Sequence, residues 1–322
     1  MYIRNTLHNL RNTYRINSVA PQYRTYFDHN TPIPIILHPS WLGQTKKGVS
    51  LSPYLIKNEF AKQQYLYYYY KPHKLQYKCP QLQYINSGVK NEDLVADLHS
   101  LYNANESIEN PRINIGGDHS MSIATLAYTL NSYPNAKVLW IDAHPDINTY
   151  EESDSKNVHG MPLSLLSKLD QEYSRQFKFI KQKLNLQNLM YIGIRSIDDY
   201  EKKIIEKYNI SYIPSDMVNT RTEDTICIVK NFIANSPLHL SLDVDSLSSE
   251  IMPCTGTPVS NGINFQSLLH LVHNISLTQQ IVNVDMVELN IIDGDDDSFV
   301  KNDCLHKTTM LFQKILKNMA KL

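Results

Sequence analysis

Three short segments of this 322-residue chain concentrate side chains that could hold metal ions and activate water. They are Gly116-Gly117-Asp118-His119-Ser120, Asp142-Ala143-His144-Pro145-Asp146 and Asp243-Val244-Asp245. Together they offer His119, Asp142, His144, Asp146, Asp243 and Asp245, four carboxylates and two imidazoles. A hard, oxygen-rich donor set of this kind suits Mn²⁺ better than Zn²⁺ or Cu²⁺. Four carboxylates brought to one place repel one another unless cations lie between them. Two divalent ions relieve that repulsion, a carboxylate can bridge them, and such a pair makes water a nucleophile near neutral pH. Each segment alone also has a structural reading. Asp118 or Ser120 can cap a helix, Asp-x-His can be a buried hydrogen-bonded pair, and Asp243 or Asp245 can be a turn residue. All three together, each following a strand-like run, favour a metal site.

The elements that must position these residues are legible as apolar runs. Strands are predicted at Ile33–Leu37, Ile113–Ile115, Val138–Ile141, Met190–Ile194, Ser211–Ile213, Leu238–Leu242 and Ile281–Met286. Helical patterns occupy Asp93–Tyr102, Met121–Leu130, Leu163–Leu169, Tyr200–Tyr208, Glu223–Ile233, Phe265–Ile275 and Leu305–Met319. Near-continuous apolar strands alternating with helices predict an α/β fold, a three-layer α-β-α arrangement around a mostly parallel sheet. Ligands of such sheets gather beyond the carboxyl ends of the strands, where all three segments would meet. No internal repeat or Gly/Ser-rich linker divides the chain, so residues 31–322 read as one domain.

Composition narrows the partners. Lys+Arg 31 against Asp+Glu 32 gives a net charge of −1, which argues against a nucleic-acid surface. No apolar run reaches the roughly 18–20 residues needed to cross a bilayer. Cys79, Cys227, Cys254 and Cys304 form no C-x-x-C pair and no disulfide framework, which fits a reducing compartment. Residues 1–30 are a basic arm: Arg4, Arg11, Arg15 and Arg24 precede the first acid, Asp28, and Ile3, Leu7 and Leu10 recur at helical spacing. That is the pattern of a mitochondrial presequence, or of a surface-docked basic arm, so the compartment reads as cytoplasm or mitochondrial matrix. The five tyrosines within Phe60–Tyr70 read as a partly buried helix or subunit contact. Asp293, Asp295, Asp296 and Asp297 read as a solvated loop, because Cys304 stands where a calcium loop needs glutamate.

Gly-Gly-Asp-His-Ser, Asp-Ala-His-x-Asp and Ser241-x-Asp243-x-Asp245 resemble the three signatures of the ureohydrolase family, which contains arginases, agmatinases, guanidinobutyrases and formimidoylglutamases. The resemblance runs from about Ile33 to the C-terminus, and the family's fold is similar to that of histone deacetylases. It implies two Mn²⁺ per subunit: one on His119, Asp142, Asp146 and Asp243, the other on His144, Asp142, Asp243 and Asp245. The loop through Asn148, Ser155 and Asn157 resembles the arginase version, in which these positions bind the substrate α-carboxylate. Neutral donors orient such a group without trapping it. The resemblance further implies that His159 shuttles protons and that Asp198 and Glu201 lie near the α-amino group. Glu288 would pair with the guanidinium, and Thr257 would line the pocket. The implied reaction is metal-activated hydroxide attack on the guanidinium carbon of L-arginine, releasing urea and L-ornithine, with Asp146 able to relay a proton. A homo-oligomer, by analogy a trimer, is also implied.

Rival readings are a ureohydrolase for agmatine or another guanidino compound, a non-catalytic metal-binding homologue, and a zinc deacetylase-like hydrolase. The chain departs from the family at Ser246, Ser248, Ser249 and Asn261, so the loop carrying Asp245 is expected to be shaped differently. Gly43 to Val49 resembles the family's first loop only loosely.

Overall fold

The computed structural model describes residues 33–70, 82–86, 93–108, 111–278, 280–293 and 296–320. The basic arm, Cys79 and Asp295 lie outside them, as do the side chains of the tyrosines in the predicted tyrosine-rich helix. Among the described residues, eight strands form one parallel sheet: β1 (Ile33–His38), β2 (Leu82–Asn86), β3 (Arg112–Gly116), β4 (Lys137–Ile141), β5 (Leu189–Ile192), β6 (Ser211–Ile213), β7 (Leu238–Asp243) and β8 (Ile281–Val287). Their order is β2-β1-β3-β8-β7-β4-β5-β6. All seven expected strands are present. Edge strand β2 was not anticipated; it pairs with β1 from Ile33↔Leu82 to Leu37↔Asn86.

Helices cover both faces, as the three-layer reading expected. One core joins Ile113, Leu139, Leu240 and Met286 of the sheet to Phe60, Phe232, Leu271 and Phe312 of the helices. The other joins Val138, Trp140 and Tyr191 to Leu98, Leu126 and Ile204. The final helix runs Ser298–Met319, starting seven residues before the expected Leu305, because Asp297 accepts the Phe299 N–H and caps it. Asp293 accepts N–H bonds from Gly48 and from the Asn290 amide. The described acids of this run are exposed, as a solvated loop requires, and two of them also serve as structural acceptors. Cys254 and Cys304, fifty residues apart in sequence, are buried and reduced, with their thiols in contact.

The near-continuous apolar pattern is interrupted along the middle of the sheet. On β7, Leu238, Leu240 and Leu242 point to the first core, while His239, Ser241 and Asp243 alternate onto the other face. His239 Nε2 lies 3.1 Å from Asp285 Oδ2, which also accepts from the Ser122 and Thr125 hydroxyls. The Asn114 amide donates to Asn283 and Asp285. These groups are fully buried and mutually hydrogen-bonded, which offsets the cost of desolvating them. A polar band thus runs up β3, β8 and β7 toward their carboxyl ends.

Candidate metal centre

The four central strands, β3, β8, β7 and β4, end side by side and deliver their loops to one edge. His119 follows β3, Asp142, His144 and Asp146 follow β4, Asp243 ends β7 with Asp245 just beyond it, and Glu288 follows β8. The close approach begins at Gly117, where a Cβ would sit 1.8 Å from the Ser40 carbonyl oxygen.

The six expected ligands converge. His119 Nδ1 lies 3.1 Å from Asp142 Oδ2, 3.0 Å from Asp146 Oδ2 and 3.2 Å from Asp243 Oδ2. His144 Nδ1 lies 3.5 Å from Asp142 Oδ1 and 3.1 Å from Asp245 Oδ2. Ligand atoms of His119, Asp142 and Asp146, and those of Asp142, His144 and Asp245, fall within 4.8 Å of one another in each group. Asp142 belongs to both groups, one oxygen facing each histidine. Asp243 joins the first through Oδ2, while its Oδ1 accepts the Asp245 N–H at 2.8 Å.

These residues fit divalent cations. Three carboxylate oxygens face a single imidazole nitrogen, yet neither that nitrogen nor Asp142 Oδ2 has a hydrogen-bond partner. Burial, then repulsion from neighbouring carboxylates, pushes Asp243 well above the usual carboxylate range and raises Asp245. The same two causes bring Asp146 to about 6. Asp142 is held low: burial opposes this, but the close contacts and charge of both histidines outweigh it. Protons alone reconcile these charges poorly; two dications would reconcile them fully.

The ligand geometry is set by neighbours. His119 stacks on Trp140, centroids 4.1 Å apart, and its Nε2 lies 2.7 Å from Ser241 Oγ. That contact leaves Nδ1 for the centre. Ser241→Ala is expected to weaken retention of divalent metal by roughly 10–100-fold. Metal content after dialysis measures this, and undiminished retention would remove Ser241 from the centre's support.

Beside the ligands opens a cavity of about 120 Å³. His159, Asn148, Ser155, Asn157, Asp198, Glu201, Thr257 and Glu288 all line it, so every expected substrate residue reaches the same space. Ser153 and Ser196 line it too. Asn148 donates to Asp198 Oδ2 at 2.9 Å, and Thr257 donates to Asp245 Oδ2 at 3.2 Å. Glu201 is committed to backbone: its oxygens accept the Ile147 and Asp198 N–H groups at 3.2 and 3.0 Å. Burial raises its pKa to about 8. Its local task is to start the helix Asp199–Lys207 and brace the Asp146 loop.

Glu288 is buried with φ of +67°, a conformation rare for a residue with a long side chain. Its Oε1 accepts the His119 N–H and lies 3.0 Å from His159 Nδ1, and its Oε2 accepts from the Gln44 amide at 2.8 Å. Burial lowers the pKa of His159, but Glu288, with Asp146 and Asp118, outweighs it and raises the imidazole to about 9. Gln44 was not anticipated. It arrives on the loop after β1, anchored where Gly43 N–H donates to Asp118 Oδ2 and Gly43 O accepts the His159 N–H. The only signal for it in the sequence was the loose likeness of Gly43 to Val49 to a family loop.

The unusual serines do not leave the Asp245 loop loose. Ser246 Oγ donates to Asp243 O at 2.7 Å, Ser248 N–H to Ile263 O and Ser249 N–H to Val259 O. Gly262 is required there, since a Cβ would lie 2.4 Å from Ser248 N.

The fold and centre define a three-layer α/β protein with a His/Asp cluster, able to hold divalent cations, at the carboxyl edge of its sheet. The sequence matches the model of the arginase family over residues 32–320, and the chain belongs to that family. An arginase of Plasmodium berghei is 40% identical over 199 residues, 60% of this chain and 56% of that protein. The chain spans about half the length of the curated relatives it matches. Among solved structures, Bacillus subtilis arginase superposes with a TM-score of 0.75 at 27% identity, covering 89% of this chain and 98% of that one. Entamoeba histolytica arginase in complex with L-ornithine gives 0.74 at 25% identity, covering 89% and 99%.

Proposed function

We propose that this protein is a binuclear manganese amidinohydrolase that converts L-arginine and water to L-ornithine and urea, with residues 31–322 as its catalytic unit. The observation that carries the reading is the convergence of six ligands with Glu288, His159 and the Asn148–Asn157 loop on one cavity. Arginase-named relatives, and the ornithine complex of the Entamoeba protein, support the same substrate class.

His119, Asp142, Asp146 and Asp243 would hold one Mn²⁺, and Asp142, His144, Asp243 and Asp245 the other. Bound there, the ions supply the acidity that turns water into a nucleophile near neutral pH. The protein's own groups do the rest. Asn148, Ser155 and Asn157 orient the α-carboxylate through neutral donors. Asp198 faces the α-amino group. Glu288 receives the guanidinium and fixes its carbon toward the centre, which is worth more than affinity because the reacting atoms are held in line. His159 Nδ1 is already engaged by Glu288, which leaves Nε2 to deliver a proton to the departing amine. Asp146 can relay the proton released from water.

Urea release from L-arginine and from agmatine, after Mn²⁺ incubation and removal of free metal, tests this reading. Turnover of arginine alone, lost with chelator, is the expected result. A preference for agmatine would sink the carboxylate-binding role of Asn148, Ser155 and Asn157. Turnover of neither would turn the reading toward another guanidino compound or a non-catalytic homologue.

A further inference from the structure

Arg195 lies on the loop after β5 and touches neither the cavity nor any ligand side chain by hydrogen bond, yet its guanidinium is surrounded by backbone carbonyls, three of them on the Asp245 loop. Nη2 donates to Asp245 O at 2.9 Å, Leu247 O at 3.0 Å and Val259 O at 2.8 Å. Nη1 donates to Ser246 O at 3.3 Å and Gly193 O at 3.1 Å, and Nε to Ser260 O at 2.9 Å. A guanidinium has five N–H donors in a rigid plane, so this fork is filled. The backbone N–H groups of Arg195 and Ser196 both donate to Ala143 O, between Asp142 and His144. Ala143 N–H in turn donates to Asp245 Oδ1 at 3.1 Å. One residue therefore ties together the loops carrying Asp142, His144 and Asp245. The other half of the centre is held differently: His119 by Ser241 and Glu288, and Asp146 through its carbonyl to Leu163 N–H.

We propose that Arg195 is a positioning residue that shapes the second metal set, Asp142, His144 and Asp245, by clamping the carbonyls of the Asp245 loop. This rests on the reading of the centre as a two-metal site. Its positive charge also lies near Asp245, Asp142 and Asp243 and offsets part of their repulsion. Fork and charge can be separated, because lysine keeps the charge on a point donor with three N–H groups and cannot span the carbonyls. The neighbouring glycine is part of the same fit, since a Cβ on Gly262 would lie 2.6 Å from Arg195 Nη2.

The test compares the wild type with Arg195→Lys and Arg195→Met by Mn²⁺ titration, metal analysis after dialysis, and electron paramagnetic resonance of the exchange-coupled pair, with circular dichroism to follow folding. Both variants are expected to keep the first ion, to bind the second roughly 10–100-fold more weakly, and to lose the coupled signal at Mn²⁺ levels that load the wild type. A wild type that never shows a coupled pair would overturn the two-metal reading itself. A wild type with the pair, and variants that keep it at unchanged affinity, would overturn the role of Arg195 alone. So would an Arg195→Lys variant that behaves as wild type, which would make charge and not the carbonyl clamp the cause. Loss of both ions together, or loss of the folded signal in both variants, would also overturn it, because the effect would then be global.

Discussion

Asp142→Ala is expected to reduce urea release from arginine by about a thousandfold or more, since the metals' stabilisation of the transition state is worth several kcal/mol. Asp142 turns one oxygen toward each histidine and so belongs to both groups of close-lying ligand atoms. Burial is the main reason Asp146, Asp243 and Asp245 are raised, and the charge of Asp142 adds to it at all three, after that of Asp245 at Asp243. Removing it would take a ligand from both proposed sets and relax the repulsion that divalent cations would relieve. Two measurements should move together: metal content should fall, and chelator should lower the melting temperature of the wild type but barely that of the variant. The reason is mass action, because an ion bound only by the native state stabilises it by about 2.7 kcal/mol at a hundred times its Kd. A variant that keeps its metal and its rate would refute the centre.

Glu288→Gln should lower kcat/KM for arginine by about a hundred- to a thousandfold, a loss larger than any fall in metal content, since all six proposed ligand side chains stay in place. The substitution preserves shape but removes the charge that would meet the guanidinium, and a charge-assisted hydrogen bond contributes about 1.5–3 kcal/mol. A second cost comes from the surroundings. The carboxylate accepts from His119 N–H and the Gln44 amide, and an amide in its place must turn an N–H toward one of those donors. The substrate cation would thus lose both its partner and the partner's alignment. Steady-state kinetics on arginine, with metal analysis alongside, decides this; an unchanged kcat/KM would assign Glu288 a structural task only.

Much of this protein was determined by local sequence. The apolar runs specify seven strands of the parallel sheet, because a strand buried on both faces must be apolar nearly throughout. The six ligands stood in three short motifs, each beyond a strand, so their meeting followed from the rule that parallel strands end at one edge. Other features required the folded molecule. The polar band through Asn114, His239, Asn283 and Asp285 breaks the apolar pattern and is tolerable only because the groups satisfy one another across strands far apart in sequence. Gln44 lies 244 residues from Glu288, and no spacing rule connects them. For Glu201 the family resemblance implied a place near the α-amino group, and only the fold shows its oxygens held by the Asp198 and Ile147 N–H groups. Arg195 is one basic residue among many until its guanidinium is seen against the carbonyls of the Asp245 loop. Ligand identity is local chemistry, which residue types and spacing carry; ligand geometry is set by long-range hydrogen bonds to backbone, which only tertiary structure brings together.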